Sequence, residues 1–141
     1  MIVNFLLEKI NVEKKKEIVG NVEVKNNTKI TNIAELTLDA LGKKQSTLNI
    51  NFSFALTYEP NLAAITIEGR VVDLLDEKER KVILDAWKKE QKVDPKYSSA
   101  WMNVILARCN IKALSLGNDI NLPPHIPFPR LAQKSKIEKK K

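Results

Sequence analysis

Two side chains in this sequence are of types that commonly act as a nucleophile or a base, and each is the only residue of its type: Cys109 and His125. A catalytic nucleophile needs a base within hydrogen-bonding reach and a third group that orients that base. His125 lies between Pro124 and Ile126, and no motif places a serine, a cysteine or a carboxylate as its partner. Cys109 stands among apolar residues, where a thiol usually acts as a small hydrophobic side chain. We therefore predict no catalytic residues and no enzymatic activity.

The same composition argues against a bound cofactor or metal ion. The glycines at positions 20, 42, 69 and 117 stand alone, so the sequence contains no glycine-rich phosphate-binding loop. One cysteine with one histidine cannot complete a structural zinc site, and a lone cysteine excludes an internal disulfide framework. We therefore expect no cofactors and no metal.

The net charge of +7 is concentrated at the end of the chain. Residues 134–141 hold five lysines and one glutamate and contribute +4 of it, so the preceding residues carry only +3. The aromatic residues Phe52, Phe54 and Tyr58 share the apolar face of a predicted strand and do not alternate with basic ones, as a single-stranded nucleic-acid platform would require. A basic module that binds nucleic acid, or one that only assembles into oligomers, remains the alternative to the function predicted below.

The beginning of the sequence carries no recognisable export signal. Met1 to Leu7 has no basic region, and the first lysine is Lys9. No apolar run approaches the length of about 18 residues that a membrane-spanning helix needs. We therefore expect a protein of the reducing cytoplasm with no membrane insertion.

Alternating apolar and polar residues predict strands in the first half of the chain. The strictest alternation runs over 48–58, and a matching strand over 63–73 follows the turn Glu59-Pro60-Asn61. Such strict period-two patterning predicts one buried and one wet face. Gly69 is expected to mark a bulge.

The earlier strands are less regular. A strand over 4–13 is predicted to place Leu6, Ile10 and Val12 on one face. A short extended piece is predicted to end at a turn at Asn26-Asn27, and a strand over 30–41 follows, with a hairpin loop at 42–46. The apolar face of the 30–41 strand is predicted to carry Ile30, Ala34, Leu36, Leu38 and Ala40, and that of the short piece to carry Val22 and Val24.

Two helices follow the strands. Asp76 to Glu79 is a capping-box pattern that predicts a short helix with Trp87 on its apolar side. Asp94-Pro95 combines an N-cap with proline at the first helical position, so a long helix is expected from there to Leu116, where Gly117 ends it. Strands followed by helices predict an α+β fold, with a four-stranded antiparallel meander sheet and both helices on one face.

The long helix is apolar around most of its circumference, since Arg108 and Lys112 are its only charged residues between Tyr97 and Leu116. A helix of this kind is buried on two sides. One side can cover the sheet of the same chain, and the other needs either a second subunit or a larger core. We expect an oligomer interface formed by Trp101, Met102, Ile105, Leu106 and Cys109.

A proline-rich segment, Asn121-Leu-Pro-Pro-His-Ile-Pro-Phe-Pro-Arg-Leu131, follows the long helix. The prolines favour extended, polyproline-like chain. Leu122, Ile126, Phe128 and Leu131 alternate with them, so this segment is expected to lie against the body of the protein.

This order of elements resembles the bacterial export chaperone SecB and SecB-like proteins. In that family a short loop with proline precedes the long helix, and a segment of the type Phe-Pro-Pro-Leu-Asn-Leu-x-Pro follows it; here Lys92-Val-Asp-Pro95 precedes the helix and the proline-rich segment follows. Lys9-Ile-Asn-Val-Glu13 is also similar to the Lys-Asp-Ile-Ser-Phe-Glu of the family's first strand. The resemblance covers residues 1–131, which we interpret as one SecB-like domain, with 132–141 as a disordered lysine-rich tail.

The resemblance implies a molecular chaperone that holds unfolded polypeptides without ATP, in protein transport or in a toxin–antitoxin context. It implies a homotetramer built as a dimer of dimers, whose partners are unfolded clients bound in apolar grooves between sheet, helix and proline-rich segment. SecB is acidic and uses acidic residues on its sheet to dock the export motor; here Glu13 matches one such position and Lys9 occupies the other. The expected peptide-binding groove comprises Val22, Val24, Trp87, Ile126 and Phe128.

Overall fold

The computed structural model of this protein describes residues 1–40 and 42–126, which fold into a sheet and two helices. The α+β class predicted from the sequence is confirmed. The tail 132–141 and the predicted groove residue Phe128 lie outside the described residues. The elements are β1 (Ile2–Lys14), β2 (Glu23–Ala40), β3 (Lys43–Glu59), β4 (Ala63–Asp73), α1 (Glu77–Glu90) and α2 (Pro95–Asp119).

The four strands of the described chain form one antiparallel sheet in the order β1-β4-β3-β2. β2, β3 and β4 follow one another as a meander, as predicted. β1 lies at the far edge beside β4, so the chain crosses from one edge of the sheet to the other between Lys14 and Glu23. Each edge strand therefore presents one row of backbone groups that no other strand of the described chain pairs.

The core lies between the inner faces of β3 and β4 and the long helix. Even-numbered residues of β3 from Leu48 to Tyr58 are at most 1% exposed, and they pair with buried odd-numbered residues of β4. The strict alternation predicted for these strands is confirmed. From α2, buried residues recur every four positions and fill the other side of this core: Trp101, Ile105, Cys109, Ala113 and Gly117.

A buried polar contact fixes the start of α2 on the sheet. The Trp101 indole Nε1 donates a hydrogen bond of 2.6 Å to Asp73 Oδ2 at the end of β4. The other oxygen, Asp73 Oδ1, lies 2.8 Å from the α-amino group of Met1. Because a buried carboxylate is costly without partners, these two contacts stabilise the junction of β1, β4 and α2.

α1 lies over β2 and is placed by its own cap and by an ion pair. Asp76 Oδ1 accepts a hydrogen bond of 2.8 Å from the Glu79 backbone N–H, which confirms the predicted cap. Arg80 Nε lies 2.8 Å from Glu35 Oε2 on β2, and Ile83 is the buried residue of the helix.

The structure differs from the predicted pattern of β2. The predicted turn at Asn26-Asn27 was wrong, because both residues are paired within one continuous strand. A bulge between Ile30 and Asn32 then reverses the alternation, so Ile33 faces the helices and Leu36 faces the outer side of the sheet. The loop predicted at 42–46 is also shorter than expected, since β3 begins at Lys43.

β1 also departs from simple alternation because it contains bulges. Register shifts between Ile2 and Asn4, and between Leu7 and Lys9, each insert an extra residue. A shift of one residue moves every following side chain to the opposite face. Phe5 and Leu7 therefore face the helices, where the sequence predicted Leu6.

α2 starts where predicted, with Asp94 Oδ1 accepting a hydrogen bond of 2.9 Å from the Lys96 backbone N–H. Its predicted end was wrong: the helix continues past Gly117 to Asp119. Gly117 is buried, and a Cβ there would lie 3.5 Å from Leu122 Cβ and 3.8 Å from Ile65 Cδ1. A methyl group at this position would therefore make ordinary contacts, and the packing of α2 on the sheet leaves room for it.

At Gly69 the backbone of β1 lies close above β4, where a side chain would otherwise stand. A Cβ at Gly69 would lie 2.1 Å from the Leu6 carbonyl oxygen and 3.0 Å from Phe52 Cζ. The predicted irregularity at Gly69 lies on the partner strand, since the bulge of β1 is opposite it. The rings of Phe5 and Phe52 stack beside it with their centroids 5.3 Å apart.

We predict that Gly69→Ala lowers the free energy of unfolding by about 1–3 kcal/mol, because the new methyl group displaces the β1 backbone. Gly117→Ala is the matched control: its Cβ fits at ordinary contact distance, and alanine favours helix, so this variant is as stable as the wild type or more stable. Urea denaturation followed by tryptophan fluorescence measures both variants. Equal losses of stability would contradict this account of Gly69.

Candidate functional site

An open apolar groove runs between β1 and α2 on the helical side of the sheet; we call it the β1–α2 groove. Two adjoining depressions of 510 and 500 Å³ form it, and both are lined by Phe5 and Arg108. Ile111 of α2 is 69% exposed and Leu7 of β1 is 38% exposed, although both are apolar. The remaining lining residues are Ile2, Val3, Asn4, Val104, Ala107 and Lys112.

The charged side chains that line the β1–α2 groove are positive. The Arg108 guanidinium lies 5.6 Å from the centroid of the Phe5 ring, a cation–π distance that holds both side chains over the groove floor. Lys112 follows one helical turn later, and no carboxylate lines the groove within the described residues. The surface therefore suits apolar side chains together with backbone carbonyls or carboxylates.

The sequence identified only part of this groove. The two-sided apolarity of α2 predicted an uncovered face, and Val104, Ala107 and Ile111 form part of it. The contribution of Phe5 and Leu7 was missed because the bulges of β1 reverse its alternation.

Four of the five predicted groove residues lie within the described chain. Val22, Val24 and Trp87 are half-buried and lie against the edge of the core, and Ile126 is half-buried in the proline-rich segment. Val24 pairs with Tyr58 at the end of the sheet where that segment is anchored. Their role in peptide binding stays a prediction.

Side chains of the sheet and of α2 anchor the proline-rich segment. Tyr58 Oη donates a hydrogen bond of 2.8 Å to the Pro123 carbonyl oxygen, and burial raises the pKa of Tyr58. Leu122 is buried, and His125 Nε2 lies 2.8 Å from Asn110 Oδ1. The segment as far as Ile126 therefore lies against the body of the protein.

The residues predicted to form an oligomer interface fall into two groups. Trp101, Ile105 and Cys109 are 0% exposed and pack in the chain's own core. Met102 and Leu106 are half-buried beside them. The interface itself stays a prediction, and the side of α2 that remains open in a single copy carries Val104, Ala107 and Ile111 instead.

The two residues considered for chemistry lie in unreactive surroundings. Burial raises the pKa of Cys109 to about 12, so its thiol stays protonated and is a poor nucleophile. Within the described residues no group of three or more His, Cys, Asp or Glu side chains converges as metal ligands would. Neither described helix has the length and apolar character to cross a membrane.

The surroundings of His125 disfavour its protonated form. Its Nε2 is occupied by the Asn110 amide oxygen, and its buried Nδ1 has no hydrogen-bond partner in the described part of the chain. Protonation would place a charged N–H there without an acceptor, and burial accordingly lowers the pKa of His125 from its ordinary value of 6.5.

We predict that the free energy of unfolding is constant above about pH 6.5 and falls as the pH drops below it, since the unfolded state then binds the proton more tightly than the folded state. His125→Gln keeps a donor for Asn110 and removes this dependence. Urea midpoints of both proteins at pH 7.5 and pH 5 provide the measurement. The prediction fails if the variant and the wild type lose stability equally.

Comparison with known proteins gives a structural likeness. No protein-family model matches the sequence, and no curated protein matches it. A solved structure that does match is the SecB-like chaperone Rv1957 of Mycobacterium tuberculosis, in complex with a ChAD peptide from the HigA1 antitoxin Rv1956. The TM-score is 0.61 at 12% sequence identity, over 94% of this chain and 89% of the other. The resemblance predicted from the sequence is therefore confirmed at the level of structure: this chain has a SecB-like fold.

Proposed function

We propose that this chain is a molecular chaperone that binds unfolded or non-native polypeptides and holds them without ATP. The observation that carries the proposal is the amount of apolar surface left open in a single copy, which a client and a second copy can share. The SecB-like fold supports it, because the matching structure is a chaperone bound to a peptide.

Apolar burial and backbone pairing are sufficient for this function. An unfolded client exposes apolar side chains, and each square ångström of them that leaves water contributes about 25 cal/mol. The outer edges of β1 and β2 offer backbone groups to an extended client. Neither interaction depends on a particular sequence, which suits a protein that must bind many clients.

We propose two uses for the apolar surfaces. Clients bind along the strip predicted from the sequence, which comprises Val22, Val24, Trp87, Ile126 and Phe128. A second copy covers the β1–α2 groove, giving a homo-oligomer that we propose to be a tetramer built as a dimer of dimers. Three large apolar residues support the proposed subunit contact, because each is more than a third exposed in a single copy: Leu7, Ile10 and Ile111.

We propose the cellular setting from the net charge of the chain and from the solved structure that it matches. The chain is basic, with a net charge of +7, unlike the acidic export chaperone. The neighbouring structure holds a peptide of an antitoxin. We therefore propose a cytoplasmic role in protecting specific aggregation-prone proteins, such as antitoxins, ahead of a role in delivery to the export motor.

We predict that the purified protein suppresses aggregation of a chemically unfolded client at stoichiometric ratio without nucleotide. Ile126→Asp places a charge in the proposed client strip and weakens client affinity by about tenfold, which corresponds to about 1.4 kcal/mol of lost contact. Val19→Asp is the matched control, because Val19 is 88% exposed and lies in the crossover between β1 and β2. Light scattering during dilution from denaturant measures both. An inactive wild-type protein, or strong salt-dependent binding to DNA instead, would refute the proposal.

We predict that Ile111→Asp reduces the oligomer to a smaller species, because it places a charge in the middle of the proposed subunit contact. Val82→Asp is the control: Val82 is also apolar, is 59% exposed and lies on the other helix. Size-exclusion chromatography with light scattering reports the mass of each. A monomeric wild-type protein, or an unchanged mass for Ile111→Asp, would rule out this contact.

A further inference from the structure

The outer face of the sheet, opposite the helices, contains a cleft of 370 Å³ near the end that carries Asp73. Its lining is half apolar and half polar. We call it the outer-face cleft: its apolar residues are Val3, Leu6, Leu36, Val72 and Leu74, and its polar residues are Asn4, Gln45, Thr47, Asn49 and Arg70.

Asn49 is unusual for its position. It points to the outer side of the sheet, yet it is only 5% exposed because longer neighbours rise around it. Its Nδ2 donates a hydrogen bond of 3.2 Å to Thr47 Oγ1, whereas its Oδ1 is buried and has no partner in the described chain. A buried amide oxygen without a donor is unfavourable, because it has lost its hydrogen bonds to water.

Arg70 has the opposite lack, a buried hydrogen-bond donor without an acceptor. Its Nε is buried without a hydrogen-bond partner, and no carboxylate of the described residues lies within ion-pair distance of its guanidinium. In the register of β3 and β4, Asn49 pairs with Val72 and Asn51 pairs with Arg70. Asn49 and Arg70 are therefore diagonal neighbours on one face, with Cα atoms about 7–8 Å apart.

Within the described chain the cleft thus has one buried acceptor and one buried donor without partners, on diagonal neighbours of one sheet face and beside apolar residues. A carboxylate fits the side of a guanidinium through two parallel hydrogen bonds, and a backbone N–H satisfies an amide oxygen. An acidic residue in a peptide supplies both groups from one segment, while a free inorganic anion without protons supplies no donor and no apolar surface. The chain's own residues 134–141 carry five lysines and one glutamate, so their net charge has the same sign as Arg70.

We propose that the outer-face cleft is a docking site for a short segment of a partner protein in which one acidic residue is flanked by apolar residues. Its carboxylate pairs with Arg70, its backbone N–H with Asn49, and its apolar neighbours contact Leu6, Leu36 and Val72. The site lies on the opposite face of the sheet from both helices and is independent of client holding. A partner can therefore dock while the helical side is occupied.

The test uses the full-length protein and a fluorescent nonapeptide in which one glutamate has two leucines on each side. A second peptide carries glutamine in place of the glutamate. We expect the glutamate peptide to bind at least tenfold more tightly in fluorescence anisotropy. Arg70→Gln removes this preference, and Arg70→Lys restores it only in part, because an ammonium cannot form the paired hydrogen bonds of a guanidinium.

Arg108→Gln serves as the matched control, since it removes an arginine from the helical side and leaves the preference unchanged. Suppression of client aggregation is measured on the same variants, and Arg70→Gln retains it. Equal binding of the two peptides, no binding of either, or a preference that survives Arg70→Gln would each overturn the docking site. Loss of the preference in Arg108→Gln would also overturn it, by placing the peptide in the β1–α2 groove. Failure of the aggregation assay alone would refute the holding function and leave the docking site standing.

Discussion

The burial of one sheet face beneath a single helix is the interaction on which the rest of this structure depends. β3 and β4 present a continuous apolar surface, and one row of α2 residues spaced four apart covers it. At Gly117 the helix lies close to the sheet, and a Cβ there would be in ordinary contact with Leu122 and Ile65. Because this row supplies the fully buried contacts of α2, the apolar side chains on another side of the helix, Val104, Ala107 and Ile111, are left open beside β1.

This division of α2 explains how a small α+β protein comes to have apolar grooves. The helix buries Trp101, Ile105 and Cys109 inside the chain and leaves Val104, Ala107 and Ile111 beside the edge strand β1. β1 contributes Phe5 and Leu7 to the same surface. A SecB-like fold therefore provides apolar surface on its helical side without any catalytic group, which is the physical basis of the holding function proposed above.

The two faces of the sheet carry different chemistry. The helical side is apolar, with Arg108 and Lys112 along its groove. The outer side is mostly polar, and in its cleft Asn49 and Arg70 have buried atoms that no described residue pairs. Unpaired polar atoms beside apolar residues indicate a surface completed by a partner more readily than one completed by bulk water.

The sequence by itself determined the features that depend on local patterning. These were the alternation of β3 and β4, the caps Asp76 and Asp94, and the excess of apolar residues on α2, and together they predicted the fold class. Only the tertiary structure decided which face each edge strand presents. A bulge adds one residue at little local cost and reverses every later side chain, and its position is set by contact with another strand, as at Gly69. For the same reason the outer-face cleft and the contribution of β1 to the β1–α2 groove were not visible in the sequence.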